Sequence, residues 1–278
     1  MLMTIKDGIT LLGNTTEYIQ QYTPELLEAL PRSRNRSSIN IESSELPFSG
    51  FDLWTAFELS WLNDKGKPVV AIAEFLVPAT SSNIIESKSF KLYLNSFNQS
   101  RFSSTDEVVS ILAKDLSLAA EGEVNVKVFP EPDCYPQTIT ALPGYCIDHL
   151  DISIDNYDFN PEYLIDATTS ENVSETLSSN LLKSNCLVTN QPDWGSVIIT
   201  YEGKRINQEK LLRYIISFRM HNEFHEQCVE RIFNDINRYC LPTKLSVFAR
   251  YTRRGGLDIN PFRSNFEQYP NVQRLIRQ

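Results

Sequence analysis

Cys186 and Asp193 are the first pair of side chains in this chain equipped for covalent chemistry. They share the stretch Ser184-Asn-Cys-Leu-Val-Thr-Asn-Gln-Pro-Asp-Trp-Gly195, where Pro192 and Gly195 punctuate a loop that leads into an apolar run. A thiol becomes a nucleophile when its surroundings favour the thiolate, and a nearby carboxyl can then move a proton. The competing reading is a small buried hydrophobe, which is what most free cysteines are. Cys134, Cys146, Cys228 and Cys240 lack the loop and the carboxylate, and they read as structural.

Other chemistry-bearing residues are scattered. Glu86-Ser-Lys-Ser-Phe-Lys-Leu-Tyr93 opens a predicted helix with Ser87 as candidate N-cap. Lys88 and Lys91 then sit near the positive end of the helix dipole, where cations are disfavoured unless an anion is expected. Surface lysines pointing to water are the bland alternative. Arg250, Arg253 and Arg254 precede Gly255-Gly256. Glycines let a backbone approach an anion closely, although a solvated turn reads the same way. His225 and Glu226 fall in the first turn of another predicted helix, where a polar pair either faces a ligand or serves the helix end.

His221 and His225 have i, i+4 spacing, but Asn222 stands where a zincin needs Glu, and His149 is the one remaining histidine. A zinc site needs more ligands than that, so no metal is expected. The chain has 10 glycines and neither a Gly-x-Gly-x-x-Gly nor a Gly-Lys-Ser phosphate loop, which excludes the common nucleotide-binding fingerprints.

These candidates need elements to hold them. Residues 51–62 and 68–77 read as strands around a turn at Asn63-Asp-Lys-Gly66. Residues 87–98 and 106–120 read as helices, and 123–129 alternate as a half-buried strand. A short helical pattern covers 24–29, and the basic stretch Pro31 to Arg36 reads as a solvated loop. From Asp148 to Glu175 the chain has eight acidic residues and no Lys or Arg, and it reads as a connection with possible strands at 150–154 and 163–165. The pattern then returns: strand 196–202, helices 207–219 and 223–239, strand 243–251. Ser96-Phe97 and Ser217-Phe218 end the first helix of each half. Two α+β modules are expected, 1–150 and 151–278, each an antiparallel sheet with two helices on one face.

Bulk properties narrow the partners. The 278 residues include 26 basic and 35 acidic side chains, for a net charge of −9. No nucleic-acid partner is expected, because such binders need a positive surface. No apolar run approaches the ~20 residues of a membrane helix, and the first residues lack a signal-peptide pattern. A soluble cytoplasmic protein with reduced thiols is the expectation, the five cysteines being odd in number and free of any Cys-x-x-Cys.

Taken together, Glu86-Ser-Lys-Ser-Phe-Lys-Leu-Tyr93, Cys186 with Asp193, His225-Glu226 and Arg253-Arg254-Gly255-Gly256 closely resemble the QueF nitrile reductases in their long, two-module form. The resemblance implies tandem tunnelling-fold modules, a homodimer and NADPH as cofactor. It implies four-electron reduction of the nitrile of 7-cyano-7-deazaguanine to an aminomethyl group, for queuosine in transfer RNA. It assigns Cys186, Asp193 and His225 to catalysis. Ile85, Glu86, Ser87, His225 and Glu226 would bind the substrate, and Ser87, Lys88, Arg254 and Gly255 the cofactor. Cys186 would form a covalent thioimide, and Asp193 would donate a proton, for which it should start protonated. Counting back from Phe97 and Phe218, Asn207 takes the place of Glu86, so neither half carries a full set and one site should form between them. A cyclohydrolase-like enzyme on a purine-type substrate and a non-catalytic pterin- or purine-binding scaffold are the alternatives.

Overall fold

Alternating apolar residues give long strands here because each strand has one face to bury against helices. The computed structural model describes residues 18–42, 45–131, 135–136, 138–270 and 273–278, so Cys134 lies outside the described residues. In chain order the elements are β1 (Ala29–Pro31), α1 (Arg32–Arg36), β2 (Ser49–Leu62), β3 (Pro68–Pro78), β4 (Asn83–Ile85), α2 (Ser87–Asn95), α3 (Thr105–Ala120) and β5 (Asn125–Phe129). There follow β6 (Ile139–Thr140), β7 (Tyr145–Cys146), β8 (Thr168–Ser179), β9 (Lys183–Asn185), β10 (Pro192–Ile206), α4 (Gln208–Ser217), α5 (His225–Cys240), β11 (Lys244–Tyr251), β12 (Leu257–Ser264) and β13 (Arg274–Leu275).

The architecture is α+β, with one nine-stranded and mainly antiparallel sheet in the order β5-β3-β2-β12-β11-β10-β8-β7, and β9 pairing the start of β10. Phe90, Tyr93 and Phe97 of the α2 segment and Val108, Leu112 and Leu116 of α3 pack on Trp54 and Phe75 of the first half. Leu211, Leu212 and Ile215 of α4 and Val229, Ile232 and Phe233 of α5 pack on Val197, Ile199 and Val247 of the second.

The two halves repeat in detail that the sequence reading only began to see. Tyr93 donates its hydroxyl to Asp115, and Tyr214 donates to Asp235, each at 2.7 Å across the helix pair. Ser96 accepts from the backbone N–H of Thr23, and Ser217 from that of Asn160, both at 3.2 Å. Thr23-Pro24-Glu25 and Asn160-Pro161-Glu162 each open a 3-10 turn at these places. Glu86 caps α2 and Asn207 caps α4.

Several expectations need correction. Residues 163–165 lie in that 3-10 turn (Pro161–Leu164) and its end, and 150–154 form no strand; the strand of this region is β8, whose polar, half-exposed face hides its alternation. β12 was missed because it is buried along its whole length although it carries Asp258, Asn260 and Arg263. The stretch Pro31 to Arg36 is not a solvated loop: Arg32 and Arg36 are 3% and 2% exposed in α1. Their carboxylate partners come from β2 and α5, far away in sequence.

The halves join where β12 pairs β2, from Leu257 opposite Ala56 to Ser264 opposite Ser49. Gly50 makes that seam possible. Its φ is +145°, and a Cβ there would stand 2.0 Å from the carbonyl oxygen of Phe262. The Gly50→Ala variant should therefore lose about 2–4 kcal/mol of stability, seen as a lowered Tm. At Gly66, where the nearest atom is the flexible end of Arg101, Ala should cost only ~1 kcal/mol; equal Tm losses at the two positions would count against the seam.

Candidate active site

Loops and helix ends from both halves converge on one narrow cleft, lined by Trp54, Ile84, Ile85, Ser87, Cys186, Asp193, Glu223, Phe224, His225, Glu226, Arg254 and Ile259. A larger groove around Phe51, Leu76 and Tyr269 holds no comparable set of reactive groups, so chemistry rather than size marks the site.

Cys186 follows β9 in a tight loop. Its N–H donates to Gln191 O at 2.8 Å, and its carbonyl accepts from Asn190 N at 3.1 Å, with Asn190 in the left-handed region. Asn222 ties the loop to the approach of α5 by donating to Cys186 O at 3.2 Å and by bonding Asn190. Burial raises the thiol's pKa, but donors from Thr189, Val188 and Arg254 outweigh it and leave it below the ordinary value. The loop thus favours the thiolate form of a half-buried thiol.

Asp193 lies at the start of β10 and is 4% exposed. Arg254 Nη2 stands 2.7 Å from its Oδ1 and His225 Nε2 3.3 Å from its Oδ2. Burial pushes the carboxyl up, yet His225 and Arg254 outweigh it and hold it below the usual range. The protonated resting state expected from sequence is therefore wrong: two cationic or donating neighbours, invisible to the local sequence, keep Asp193 ionised. Neither Asp193 Oδ1 nor either ring nitrogen of His225 makes an aligned hydrogen bond within the protein. Buried polar atoms without aligned partners are what a ligand-binding site leaves open. His225 is held flat by stacking on Tyr251, centroids 4.0 Å apart at 22°.

Glu226 is 3% exposed in the first turn of α5. Burial, then the charge of Asp52, push its carboxyl up to about 8, against the opposing pull of Arg32 and Arg263. Trp54, Ile84, Ile85 and Ile259 give the cleft flat apolar walls. A carboxyl among such walls suits a planar ring with two adjacent N–H donors.

Glu86 is placed differently from its neighbours. Its carboxylate accepts from Lys88 N at 2.9 Å and Ser89 N at 2.7 Å, so it is the N-cap that Ser87 was expected to be. Ile85 and Ser87, on either side of it, line the cleft. Lys88 and Gly255 line an adjoining cleft with Tyr18, Glu58, Lys91, Leu92 and Asn95. Lys91 lies there too, outside the site residues expected from sequence. Burial, then Arg254, push its ammonium below its usual value. Gly255, at φ +59°, lies against its side chain. Its double placement in the Glu-Ser-Lys-Ser-Phe-Lys run was the available signal.

His221 is not on α5 with His225. It ends a 3-10 turn, lies 3.1 Å from Glu223 and packs on Phe159. Glu223 also pairs with Arg231 at 2.6 Å, which braces the segment leading to His225. Among the described residues no group of three His, Cys, Asp or Glu side chains is arranged for a metal ion.

Two family models match the chain. Residues 18–128 match the model described as "Nitrile reductase, 7-cyano-7-deazaguanine-reductase N-term", and 192–270 match "QueF-like protein", together about two thirds of the chain. The first contains Ile85, Glu86, Ser87 and Lys88; the second contains Asp193, His225, Glu226, Arg254 and Gly255. Cys186 precedes the second match, and the fold carries it into the same cleft. The chain belongs to the QueF family, and it is a nitrile reductase that reduces 7-cyano-7-deazaguanine in queuosine biosynthesis.

Proposed function

We propose that this chain reduces the nitrile through a covalent thioimide on Cys186 with NADPH as reductant. The observation that carries the reading is the convergence of Cys186, Asp193, His225 and Glu226 with Ile85 and Ser87 in one cleft. The base lies against the apolar wall that Trp54 and Ile259 form, with its ring and amino N–H groups toward Glu226. The nitrile carbon then faces Cys186. Sulfur attacks that carbon, one C–N π bond breaks, and the thiol's proton reaches the nitrile nitrogen by way of the Asp193–His225 pair. Because Asp193 starts ionised, it acts first as acceptor and then as donor. Arg254 stabilises the thiolate and Asp193 in turn. Glu86 organises the wall formed by Ile85 and Ser87 rather than touching the base with a free carboxylate.

The residues beside the cleft fit the cofactor. Lys91 carries a positive charge that burial and Arg254 both oppose, and Gly255 with its positive φ leaves backbone accessible beside it. Ser87, Lys88, Lys91, Arg254 and Gly255 would hold the phosphates there. When bound, NADPH would supply one hydride to the former nitrile carbon in each of two stages; between them the C–S bond would break and return the sulfur of Cys186, and Asp193 and His225 would deliver the matching protons to nitrogen. The two halves, 1–150 and 151–278, are read as tunnelling-fold modules of a cytoplasmic homodimer. Their Tyr–Asp and Ser–N–H repeats support two copies of one module.

Intact mass spectrometry with 7-cyano-7-deazaguanine and no NADPH should show a covalent adduct on the unaltered chain and none on Cys186→Ala, which should also lose about 10³-fold or more in turnover. Asp193→Asn should lose about 10²–10⁴-fold. Bound base without adduct on the unaltered chain would rule out the thioimide.

A second outcome follows from Glu226. The empty site favours its protonated form up to about pH 8, whereas the base's N–H donors favour the ionised form. Binding therefore releases a proton below pH 8. In Cys186→Ala, where binding is reversible, affinity should rise about tenfold per pH unit toward pH 8 and level off above it. Calorimetry in buffers of different ionisation enthalpy should count nearly one proton released at pH 7. No release would contradict the orientation of the base.

A further inference from the structure

Beneath Glu226 lies a cluster of charges sealed from solvent. Arg263 is fully buried, with Nη1 at 2.8 Å from Asp52 Oδ1 and Nη2 at 2.8 Å from Glu230 Oε1. Arg32 Nη2 reaches Asp52 Oδ2 at 2.5 Å, and Arg36 Nη2 reaches Glu230 Oε1 at 2.7 Å. Burial opposes the charge of both carboxylates, but the arginines outweigh it and hold Asp52 and Glu230 ionised. Three guanidiniums thus share two carboxylates. A sealed surplus of positive charge is costly, and the chain offers one more carboxyl on the same side. Glu226 precedes Glu230 by one helical turn of α5, so both face the strands that carry Asp52 and Arg263. Glu226 also lines the cleft.

The charged groups around Glu226 come from every neighbouring element. Arg32 belongs to α1, Asp52 to β2, Arg263 to β12 and Glu230 to α5 itself. On the cleft side stand Cys186, Asp193, Glu223, His225 and Arg254. Asp52 is the group that disfavours a charge on Glu226, while Arg32 and Arg263 favour it.

We propose that Asp52, shared between Arg32 and Arg263, is the positioning residue that lets Glu226 become the third carboxylate of this cluster only when a base presents its N–H groups. The inference rests on the reading of Glu226 as the acceptor for the base edge. It adds that Arg32, on a segment whose β1 pairs β4 and so backs Ile84 and Ile85, joins the cleft wall and the charge floor in one unit. Capture of the base and seating of residues 29–36 are then reciprocal, as linkage requires.

The test measures affinity for 7-cyano-7-deazaguanine against pH in the Cys186→Ala background. Adding Asp52→Asn frees two guanidiniums for Glu226, so binding should become flat between pH 6 and 8 and release no proton. Adding Arg32→Gln removes a favourable charge, so the rise in affinity should move to higher pH, with a loss at pH 7 that is recovered by pH 9. Arg36→Gln, whose contacts are to Glu230 and Ala79, should leave the midpoint closer to the parent's than Arg32→Gln does. A purely structural role would scale affinity by one factor at every pH, and that result for both Asp52→Asn and Arg32→Gln overturns the proposal. Should Asp52→Asn not fold by circular dichroism, Arg32→Gln decides alone, and an unmoved midpoint overturns it. Glu226→Gln separates the two levels. If it binds like the parent with the same pH profile, the reading of Glu226 itself is wrong. If it abolishes the pH dependence while Asp52→Asn and Arg32→Gln keep the parent's profile, only the inference about Asp52 fails.

Discussion

The side chain of Arg263 is the point on which the two halves depend. It is 0% exposed, and it donates to Phe51 O and Phe262 O while contacting Asp52 and Glu230. Four parts of the chain are thereby fixed relative to one another: β2, β12, α5 and, through Arg32 and Arg36, α1. A buried ion network of this kind adds little net stability compared with an apolar core, because removing each charge from water costs several kcal/mol. Its effect is geometric. Each guanidinium accepts few arrangements of its carboxylates, so β2 and β12 meet in one register. That register places Ile259 opposite Trp54, and those two residues form part of the cleft's apolar wall.

A second, local constraint holds down the pKa values of Cys186 and Asp193 despite partial burial. Desolvation alone would neutralise both groups. Arg254 opposes that for both, since it helps hold the pKa of the Cys186 thiol down and stands 2.7 Å from Asp193. Arg254 is in turn steered by donating to Gln191 Oε1 at 2.6 Å, within the loop that begins at Cys186. Cys186, Asp193 and the positive charge of Arg254 are held by one loop and one turn. Their relative positions therefore depend less on the wider fold than does the meeting of that unit with Ile85, Ser87 and Glu226.

What the sequence disclosed follows from which interactions are local. Cys186, Asp193, His225-Glu226 and the Glu-Ser-Lys-Ser-Phe-Lys run stood out because their types and neighbours are unusual within a few residues. The helices were legible because α2, α3, α4 and α5 each keep an apolar stripe at helical spacing. Arg32 and Arg36 were misread as solvated because lysine- and arginine-rich stretches usually are, and nothing nearby reveals Asp52 or Glu230. β12 was missed for the same reason in reverse: polar residues such as Asp258, Asn260 and Arg263 are fully buried there, which no alternation pattern anticipates. The charge on Asp193 was misjudged because its donors arrive from α5 and from the turn after β11.

The repeat also shows how the helix ends of the two halves differ. In the second half α4 is capped by Asn207, which bonds Lys210 N at 3.0 Å just as Glu86 bonds the first turn of α2. The capping task is conserved between halves by physics, since a helix end needs an acceptor. The surroundings of the caps differ. Glu86 is buried between cleft residues, while Asn207 is exposed. The first turn of α3 offers Asp106 and Glu107, both exposed, where α5 offers buried His225 and Glu226. Each half thus contributes one helix end to the cleft and leaves the other in water. The β2–β12 seam converts two incomplete ends into a single enclosed site. A site built this way needs correct docking of the halves before Glu226 and Lys91 take on their altered acidity, because, beyond burial, Asp52 and Arg32 act on the first and Arg254 on the second across the join.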